Sequence, residues 1–293
     1  MTVGTWTKAA PLLHDRAAHA VVATADGIYA LGGPGPGSAT VERFDGSAWH
    51  DETQLPHGPV NAPAAAVLDG RLYVTGGFSG TTNLPVTDVD VYDPATRTWS
   101  SAAPLPEPRG GHAAVVLDGK IHLLGGGNSV STIADHSVYD PATSSWSEAA
   151  PLPRPEGSPA AVVFGGMLYA IGGRSGFDDY GDVDVYDAAK DRWREGPRIP
   201  PRGTAGAAVY RGAVYLFGGE SQPHAKVLGE VYRLKPGAKA WQKVSSLPEP
   251  RNYARAVVFR NAVYVVGGSR SFGNVHGAAG STLVERYVVR GAG

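Results

Sequence analysis

The sequence has 293 residues, of which 42% are hydrophobic and 18% charged, and its formal net charge is −1. This length and apolar content suit one large domain or two ordinary ones, and the near-neutral charge provides no general attraction to nucleic acid or acidic membranes. The absence of cysteine excludes disulfides, thiolate metal ligands and cysteine nucleophiles.

The N-terminal stretch MTVGTWTKAAPLLHD has no apolar segment of signal-peptide length. No later apolar run approaches the roughly 18 residues needed to span a bilayer. The sequence therefore leaves the compartment open between the cytoplasm, for the chain as given, and an exported mature form, and no membrane contact is expected.

The remainder of the chain is built from an internal repeat. The stretch PLPEPRGGHAAVVLDGKIHLLGGG (104–127) returns as PLPRPEGSPAAVVFGGMLYAIGG (151–173). Diglycines recur at 32–33, 76–77, 125–126, 172–173, 218–219 and 267–268, and the six tryptophans keep step with them, at Trp6, Trp49, Trp99, Trp146, Trp193 and Trp241. A fixed period of this length indicates a repeat architecture.

Each repeat predicts four short antiparallel strands. Two apolar runs flank a turn such as Asp69-Gly70, the strongest short hairpin signal because both turn residues need positive φ. A diglycine, a polar loop, a third strand such as VDVYDP and a fourth strand with the Trp follow. No segment has sustained helical periodicity, so six such units predict an all-β, six-bladed β-propeller.

The two chain ends predict how the ring closes. Trp6 comes before any other strand pattern, while the sixth unit ends at VERYVVRGAG without a Trp. The N-terminal segment should therefore supply the outer strand of the last blade, which removes exposed sheet edges. Residues 1–293 are thus expected to form a single domain and a monomer.

The Pro-x-Arg-x-x-His, Gly-Gly, Tyr-Asp-Pro and Trp pattern resembles the kelch repeat over essentially the whole chain. The resemblance implies a kelch-type six-bladed propeller. It implies little about chemistry, because kelch propellers include adaptors, carbohydrate-active enzymes and other enzymes.

One face of the ring is the better candidate for function. The turns between first and second strands and between third and fourth strands are short and stereotyped. The second-to-third loops and the inter-blade links, which lie together on the opposite side, are long and varied, from PGPGSAT to SRSFGNVHGAAGS. Variable loops on a rigid scaffold commonly carry binding or catalysis. We call this side the loop face and the other the turn face.

Several aligned columns of residues are interpreted as scaffold. The aromatic columns should pack between blades, and His122 stands in one of them. An acidic column is expected to pair with backbone or arginine; its members are Glu42, Asp90, Asp184, Glu230 and Glu285.

A column of arginines at the start of the innermost strands admits two interpretations; its members are Arg16, Arg109, Arg202 and Arg251. They either belong to the scaffold or form a ring of cations at the channel mouth, suited to a carboxylate or phosphate. The resemblance keeps the second interpretation open, because kelch adaptors that bind acidic peptides use arginines of these loops. His19 and His112 occupy the neighbouring column, where a structural role is favoured.

Departures from the repeat supply further candidates. Blade four has Glu156 in the arginine column, and blade two has Val60 and Asn61 at that place. Blade six reads RNYARAVV, which puts Tyr253 at the rim and Arg255 in a column otherwise filled by alanine or glycine. Because inner strands converge on the axis, Arg255 is expected to point into the channel or be paired.

The long loops add residues suited to sugar rings or peptide side chains, with loops folded on their own apolar residues as the alternative. The binding candidates among them are Arg174, Phe177, Tyr180, Arg270 and Phe272, and the same loops contain Phe78 and His276. GFDDYGDVD lacks the ligand spacing of a calcium loop, and Glu220 with His224 is too small a set for a metal site. No metal and no cofactor are predicted.

Two functions follow from these residues. The favoured one is a non-enzymatic module that binds an anionic or aromatic-bearing ligand, either an acidic peptide or protein or a glycan, at the channel mouth. The alternative is a cofactor-free enzyme on a small acidic sugar, similar to the kelch sialic-acid epimerases of bacteria. In that case arginines would hold the carboxylate, and Glu156, His19 or His112 would transfer protons. Nucleic acid is not an expected partner.

Overall fold

A computed structural model describes residues 4–35, 37–273 and 279–289, so His276 lies outside the described residues. Six four-stranded antiparallel sheets follow one another around an axis, and contacts between neighbouring inner strands close the ring. The prediction of a six-bladed propeller is confirmed.

Each of the six blades has an inner, a second, a third and an outer strand. The inner strands are Ala20–Ala23, Ala64–Leu68, Ala113–Leu117, Ala160–Phe164, Gly206–Tyr210 and Arg255–Phe259. The second strands are Ile28–Leu31, Arg71–Thr75, Lys120–Leu124, Met167–Ile171, Ala213–Phe217 and Ala262–Val266. The third strands are Thr40–Phe44, Val89–Asp93, His136–Asp140, Val183–Asp187, Glu230–Leu234 and Val284–Val289. The outer strands are Trp49–Gln54, Thr98–Ser101, Ser145–Glu148, Arg192–Glu195, Gln242–Ser246 and Gly4–Lys8.

In the described residues, three short pairs of strands lie on the loop face. They are the two-residue strand pairs Val60–Asn61 with Phe78–Ser79, Arg174–Ser175 with Asp178–Asp179, and Glu220–Ser221 with Lys226–Val227. The described residues contain a single 3-10 turn, Ala188–Lys190, and no helix long and apolar enough to cross a bilayer.

The glycines of the repeat have two different backbone tasks. In the Asp69-Gly70 turn both residues adopt positive φ, 51° and 76°, as the hairpin signal requires. The diglycines instead allow a close crossing. A Cβ on Gly125 would lie 2.2 Å from the Glu156 carbonyl oxygen, which accepts a 2.8 Å hydrogen bond from the Gly126 amide. The diglycine thus lets the next inter-blade link pass directly over the blade.

Aromatic columns join adjacent blades. The ring centroids of Tyr73 and Tyr139 are 5.8 Å apart across blades two and three, and those of Tyr215 and Tyr287 are 6.0 Å apart across blades five and six. His122 fills the same place in blade three, 6.0 Å from Tyr186 of blade four. These side chains form the packed core between sheets.

The N-terminal strand closes the ring as predicted. Gly4–Lys8 pairs antiparallel with Val284–Val289, with Trp6 opposite Tyr287. The Trp6 indole donates a 3.0 Å hydrogen bond to Ser245 Oγ of blade five. Blade six therefore contains strands from both ends of the chain.

Candidate functional site

The arginine column lies inside the blades. Arg16 has no exposed surface; its Nη1 donates to the carbonyl oxygens of Gly32 and Gly37 at 2.8 Å, and its Nη2 lies 2.9 Å from Glu42 Oε1. Arg251 repeats this arrangement in blade six with Glu285 at 2.7 Å.

Arg109 and Arg202 have less complete sets of partners but are equally buried. Arg109 Nη2 donates to Asp135 and to Ser137 at 3.3 Å. Arg202 Nη1 donates to the Gly218 carbonyl at 3.0 Å and lies 3.8 Å from Glu230. All four arginines are at most 2% exposed, so the expectation of a cation ring at the channel mouth is corrected. Burial within the blade, between link and third strand, makes them scaffold.

Blades two and four lack the column arginine, and in each of them another basic residue of the link contacts the acidic column. In blade two, His57 Nδ1 lies 2.9 Å from Asp90 of the acidic column. In blade four, Arg154 Nη1 lies 2.8 Å from Glu156 and 2.6 Å from Asp184. Each blade has thus moved its basic group to a nearby position in the link.

The three predicted catalytic side chains are buried and do not line the cavity on the loop face. Glu156 is 1% exposed, and burial, followed by the Asp184 carboxylate, raises its pKa to about 8 against the pull of Arg154. His112 Nε2 lies 2.9 Å from Thr75 Oγ1, and burial together with Arg109 lowers its pKa to about 3. His19 is fully buried, and its pKa is lowered by burial and then by Arg16 and other arginines.

A ring of backbone narrows the channel at the loop face. Two residues before each inner strand, one residue adopts a left-handed conformation with φ between 46° and 64°. Five backbone hydrogen bonds join these residues around the axis: in each, the amide of one residue donates to the carbonyl of its counterpart in the preceding blade, at 2.7 to 3.3 Å. This mouth ring consists of Ala18, Ala62, Gly111, Ser158, Thr204 and Tyr253.

Above the mouth ring lies a cavity of about 370 Å³, the loop-face cavity. Its wall combines Phe78 with polar side chains and with glycine backbone; the polar members are Thr132, Ser158, Arg174 and Gln222. The Arg174 side chain is fixed by its neighbours in the protein. It donates hydrogen bonds to Glu220 and to the Tyr253 hydroxyl, and its guanidinium carbon lies 5.6 Å from the Tyr253 ring centroid. The cavity wall therefore offers one fixed cation, Arg174, and one aromatic ring, Phe78.

Below the mouth ring lies a second cavity of about 120 Å³, the channel cavity. Its wall is formed mainly by the alanine and glycine residues that begin the inner strands, together with His112 and Arg255. The expectation that Arg255 reaches the channel thus agrees with its position. It lies below the mouth ring, whereas Arg174 lies above it.

The other predicted binding residues are distributed over the loop face. Phe177 is 86% exposed and Phe272 is 37% exposed. Arg270 Nη1 lies 3.1 Å from Glu249 Oε2. The Arg154 guanidinium carbon lies 5.6 Å from the centroid of the Tyr180 ring. Asn61 is buried and pairs with Phe78 through backbone bonds, so its burial corrects the expectation of a ligand contact at that side chain.

Sequence reasoning missed the polar wall of the loop-face cavity. Thr132, Ser158 and Gln222 come from three different blades and carry no motif. The mouth ring could have been found from Gly111, because one glycine in an aligned column signals a backbone position with positive φ.

No group of three or more His, Asp or Glu side chains able to hold a metal occurs in residues 4–35, 37–273 and 279–289. Arg174 is the only ionisable side chain among the described residues that line the loop-face cavity. Its chemistry is recognition of an anion or hydrogen-bond acceptor.

Comparison with known proteins gives a family model, curated relatives and solved structures that match this chain. The family model described as the Attractin/LZTR1 beta-propeller matches residues 72–280. An F-box/kelch-repeat protein of Arabidopsis thaliana is 38% identical over 118 residues, which are 38% of this chain and 31% of that protein. The N-acetylneuraminate epimerase of Haemophilus influenzae (strain PittEE) is 37% identical over 111 residues, which are 35% of this chain and 29% of that protein.

These curated relatives are thus matched over less than a third of their own length. The solved structure of YjhT superposes with a TM-score of 0.80 at 19% identity, covering 94% of this chain and 96% of that chain. At that identity the superposition establishes a shared fold.

Proposed function

Since the chain belongs to the kelch-repeat β-propellers of the Attractin/LZTR1 family, we propose that it is a binding scaffold whose loop face holds a partner protein. The supporting observation is the distribution of apolar surface. Within the described residues, the exposed large apolar side chains all lie in loops or links of that face: Leu13, Leu84, Val130, Phe177 and Phe272. Exposed apolar groups gathered on one side are typical of protein contact surfaces.

The loop-face cavity suggests which chemistry the partner presents. A carboxylate placed in it would meet the Arg174 guanidinium, and an aromatic or aliphatic side chain would meet Phe78. Because Arg174 already pairs with Glu220, a ligand carboxylate would share that cation. We therefore expect apolar contacts at the rim to supply most of the affinity and Arg174 to supply selectivity for acidic segments.

The enzyme alternative has weaker support. Relatives named N-acetylneuraminate epimerase match part of the chain, but the proposed acid–base residues Glu156, His19 and His112 do not line the loop-face cavity. Catalysis by proton transfer requires such a group within hydrogen-bond reach of the substrate. Turnover of N-acetylneuraminate is accordingly an outcome that the test must include.

The proposal can be tested by selecting short random peptides on the intact protein and measuring the affinity of the selected peptides by fluorescence anisotropy. We expect selected sequences to combine acidic with aromatic or aliphatic residues. Phe177→Ala with Phe272→Ala should weaken binding about tenfold or more. Arg174→Lys should reduce the preference for acidic residues, because the planar fork is lost while the Glu220 carboxylate stays paired.

Arg97→Ala is the matched control. Arg97 is exposed in the turn between the third and outer strands of blade two, on the turn face, so its removal should leave binding unchanged. Equal weakening by Arg97→Ala, or selected peptides without acidic or apolar enrichment, would contradict the proposal. Epimerisation of N-acetylneuraminate by the unmodified protein would favour the enzyme alternative.

A further inference from the structure

Arg255 is the one long side chain among the aligned residues that begin the inner strands. Its counterparts around the axis are Ala20, Ala64, Ala113, Ala160 and Gly206, and all of them line the channel cavity. The inner strands thus begin with small residues around the axis, and blade six places a guanidinium among them. His112, also in the wall, is neutral because burial and nearby arginines lower its pKa to about 3.

The pairing of Arg255 differs from that of the other interior arginines. Each of the following lies within ion-pair distance of a carboxylate: Arg16, Arg109, Arg174, Arg202 and Arg251. Arg255 has one hydrogen bond within the described residues, from Nε to the His19 carbonyl oxygen at 2.9 Å, and no ion pair. Arg255 is partly exposed to the channel, so a guanidinium without a counter-charge there can pair with an anion that enters.

We propose that the channel cavity binds a small monovalent carboxylate of the formate or acetate class, held end-on by Nη1 and Nη2 of Arg255. With Nε committed to His19, the two Nη groups form the fork that matches two carboxylate oxygens. A single cation and a neutral histidine favour one negative charge, and the alanine wall accommodates a hydrogen or methyl group.

The width of the loop-face entrance favours a ligand of this size. The cavity holds about 120 Å³. Chains joined by backbone hydrogen bonds lie about 4.8 Å apart, so a six-membered mouth ring has a radius of about 4.8 Å before van der Waals radii are subtracted. Passage from the loop face is thus limited to water and the smallest organic ions. The loop-face proposal concerns a different cavity and can fail independently.

The experiment is thermal unfolding of the full chain as sodium formate or acetate replaces sodium gluconate at constant ionic strength. Gluconate carries the same charge on a longer and bulkier chain. We expect the Tm to rise and saturate, with a dissociation constant on the order of millimolar. Chloride should raise it less, because a single ion cannot form the two parallel hydrogen bonds that two carboxylate oxygens form with the Nη groups. Arg255→Met should abolish the rise, while the exposed control Arg71→Met should keep it.

A second measurement covers the case in which Arg255→Met does not fold. The carbon-13 resonance of labelled formate should broaden in the presence of the unmodified protein and sharpen when unlabelled acetate, but not gluconate, is added. The proposal is overturned if formate has no saturable effect in either measurement, if chloride acts as strongly as formate, or if Arg255→Met responds like the unmodified protein.

Discussion

Replacing Glu156 by Gln should make the protein less sensitive to alkaline pH. Glu156 lies in blade four beside Arg154 and Asp184, and burial with the neighbouring carboxylates raises its pKa from its usual value near 4.5 to about 8. The folded state therefore binds this proton more tightly than the unfolded chain does. The resulting stability is fully present below pH 4.5 and is lost as the pH rises toward 8.

The magnitude follows from the size of the pKa change. Each unit corresponds to about 1.4 kcal/mol, so between pH 5 and pH 8 the unmodified protein should lose about 3 kcal/mol of unfolding free energy through this group. The glutamine side chain of the variant resembles the protonated acid in shape and cannot ionise. Any loss of the hydrogen bond to Arg154 is nearly constant with pH and cancels when the two pH values are compared.

The assay is urea unfolding followed by tryptophan fluorescence at pH 5, 6, 7 and 8. We expect the difference between Glu156→Gln and the unmodified protein to shift in favour of the variant by about 3 kcal/mol over this range. Glu107→Gln, an exposed position in the equivalent link of blade three, is the matched control and should show no such shift. A pH-independent difference for Glu156→Gln would refute the assignment of a retained proton to blade four.

Three further outcomes are expected. Arg16→Met should lower the unfolding free energy by about 3–5 kcal/mol in denaturant titrations, because it leaves the buried Glu42 carboxylate without its cation. Burial lowers the pKa of the His122 and His136 rings to about 4, so the unmodified protein loses unfolding free energy as the pH falls from 6.5 to 4. The double variant His122→Tyr with His136→Val, which copies the residues of blade four, should lose less unfolding free energy over this range. We also propose that the chain is one cooperative domain, so Trp6→Ala should lower the temperature of a single calorimetric transition for the whole chain.

The fold could be predicted from the sequence because its signals are local and repeated six times. Asp-Gly turns, diglycines and Trp spacing each specify short-range geometry, and repetition fixes the architecture. Ring closure could be predicted from Trp6. Its strand precedes the first blade, and the sixth blade has no outer strand of its own, so pairing the two completes the ring. Trp241 shows the limit of such patterns, because it stands just before the outer strand Gln242–Ser246.

The site was less predictable because it depends on contacts between distant segments. An arginine at the start of an inner strand is compatible with a ligand or with a scaffold carboxylate. Only the register of link against third strand shows that Arg16 meets Glu42 and that Arg251 meets Glu285. The loop-face cavity likewise combines single residues such as Thr132 and Gln222 from different blades, and no sequence spacing relates them.

The departures from the repeat are of two kinds. In blades two and four a neighbouring residue takes over the contact of the missing arginine, whereas the extra arginine of blade six has no such partner among the described residues. Where blade four replaces the column arginine by Glu156, Arg154 supplies the missing cation two residues earlier, and where blade two lacks it, the exposed His57 contacts Asp90. Blade four thus keeps a cation beside its buried carboxylates, and in blade two Asp90 keeps a side-chain partner from the link. Arg255 adds a charge to an apolar column, and no described residue supplies the matching anion. An uncompensated departure in an otherwise self-consistent repeat therefore points to a ligand from solution.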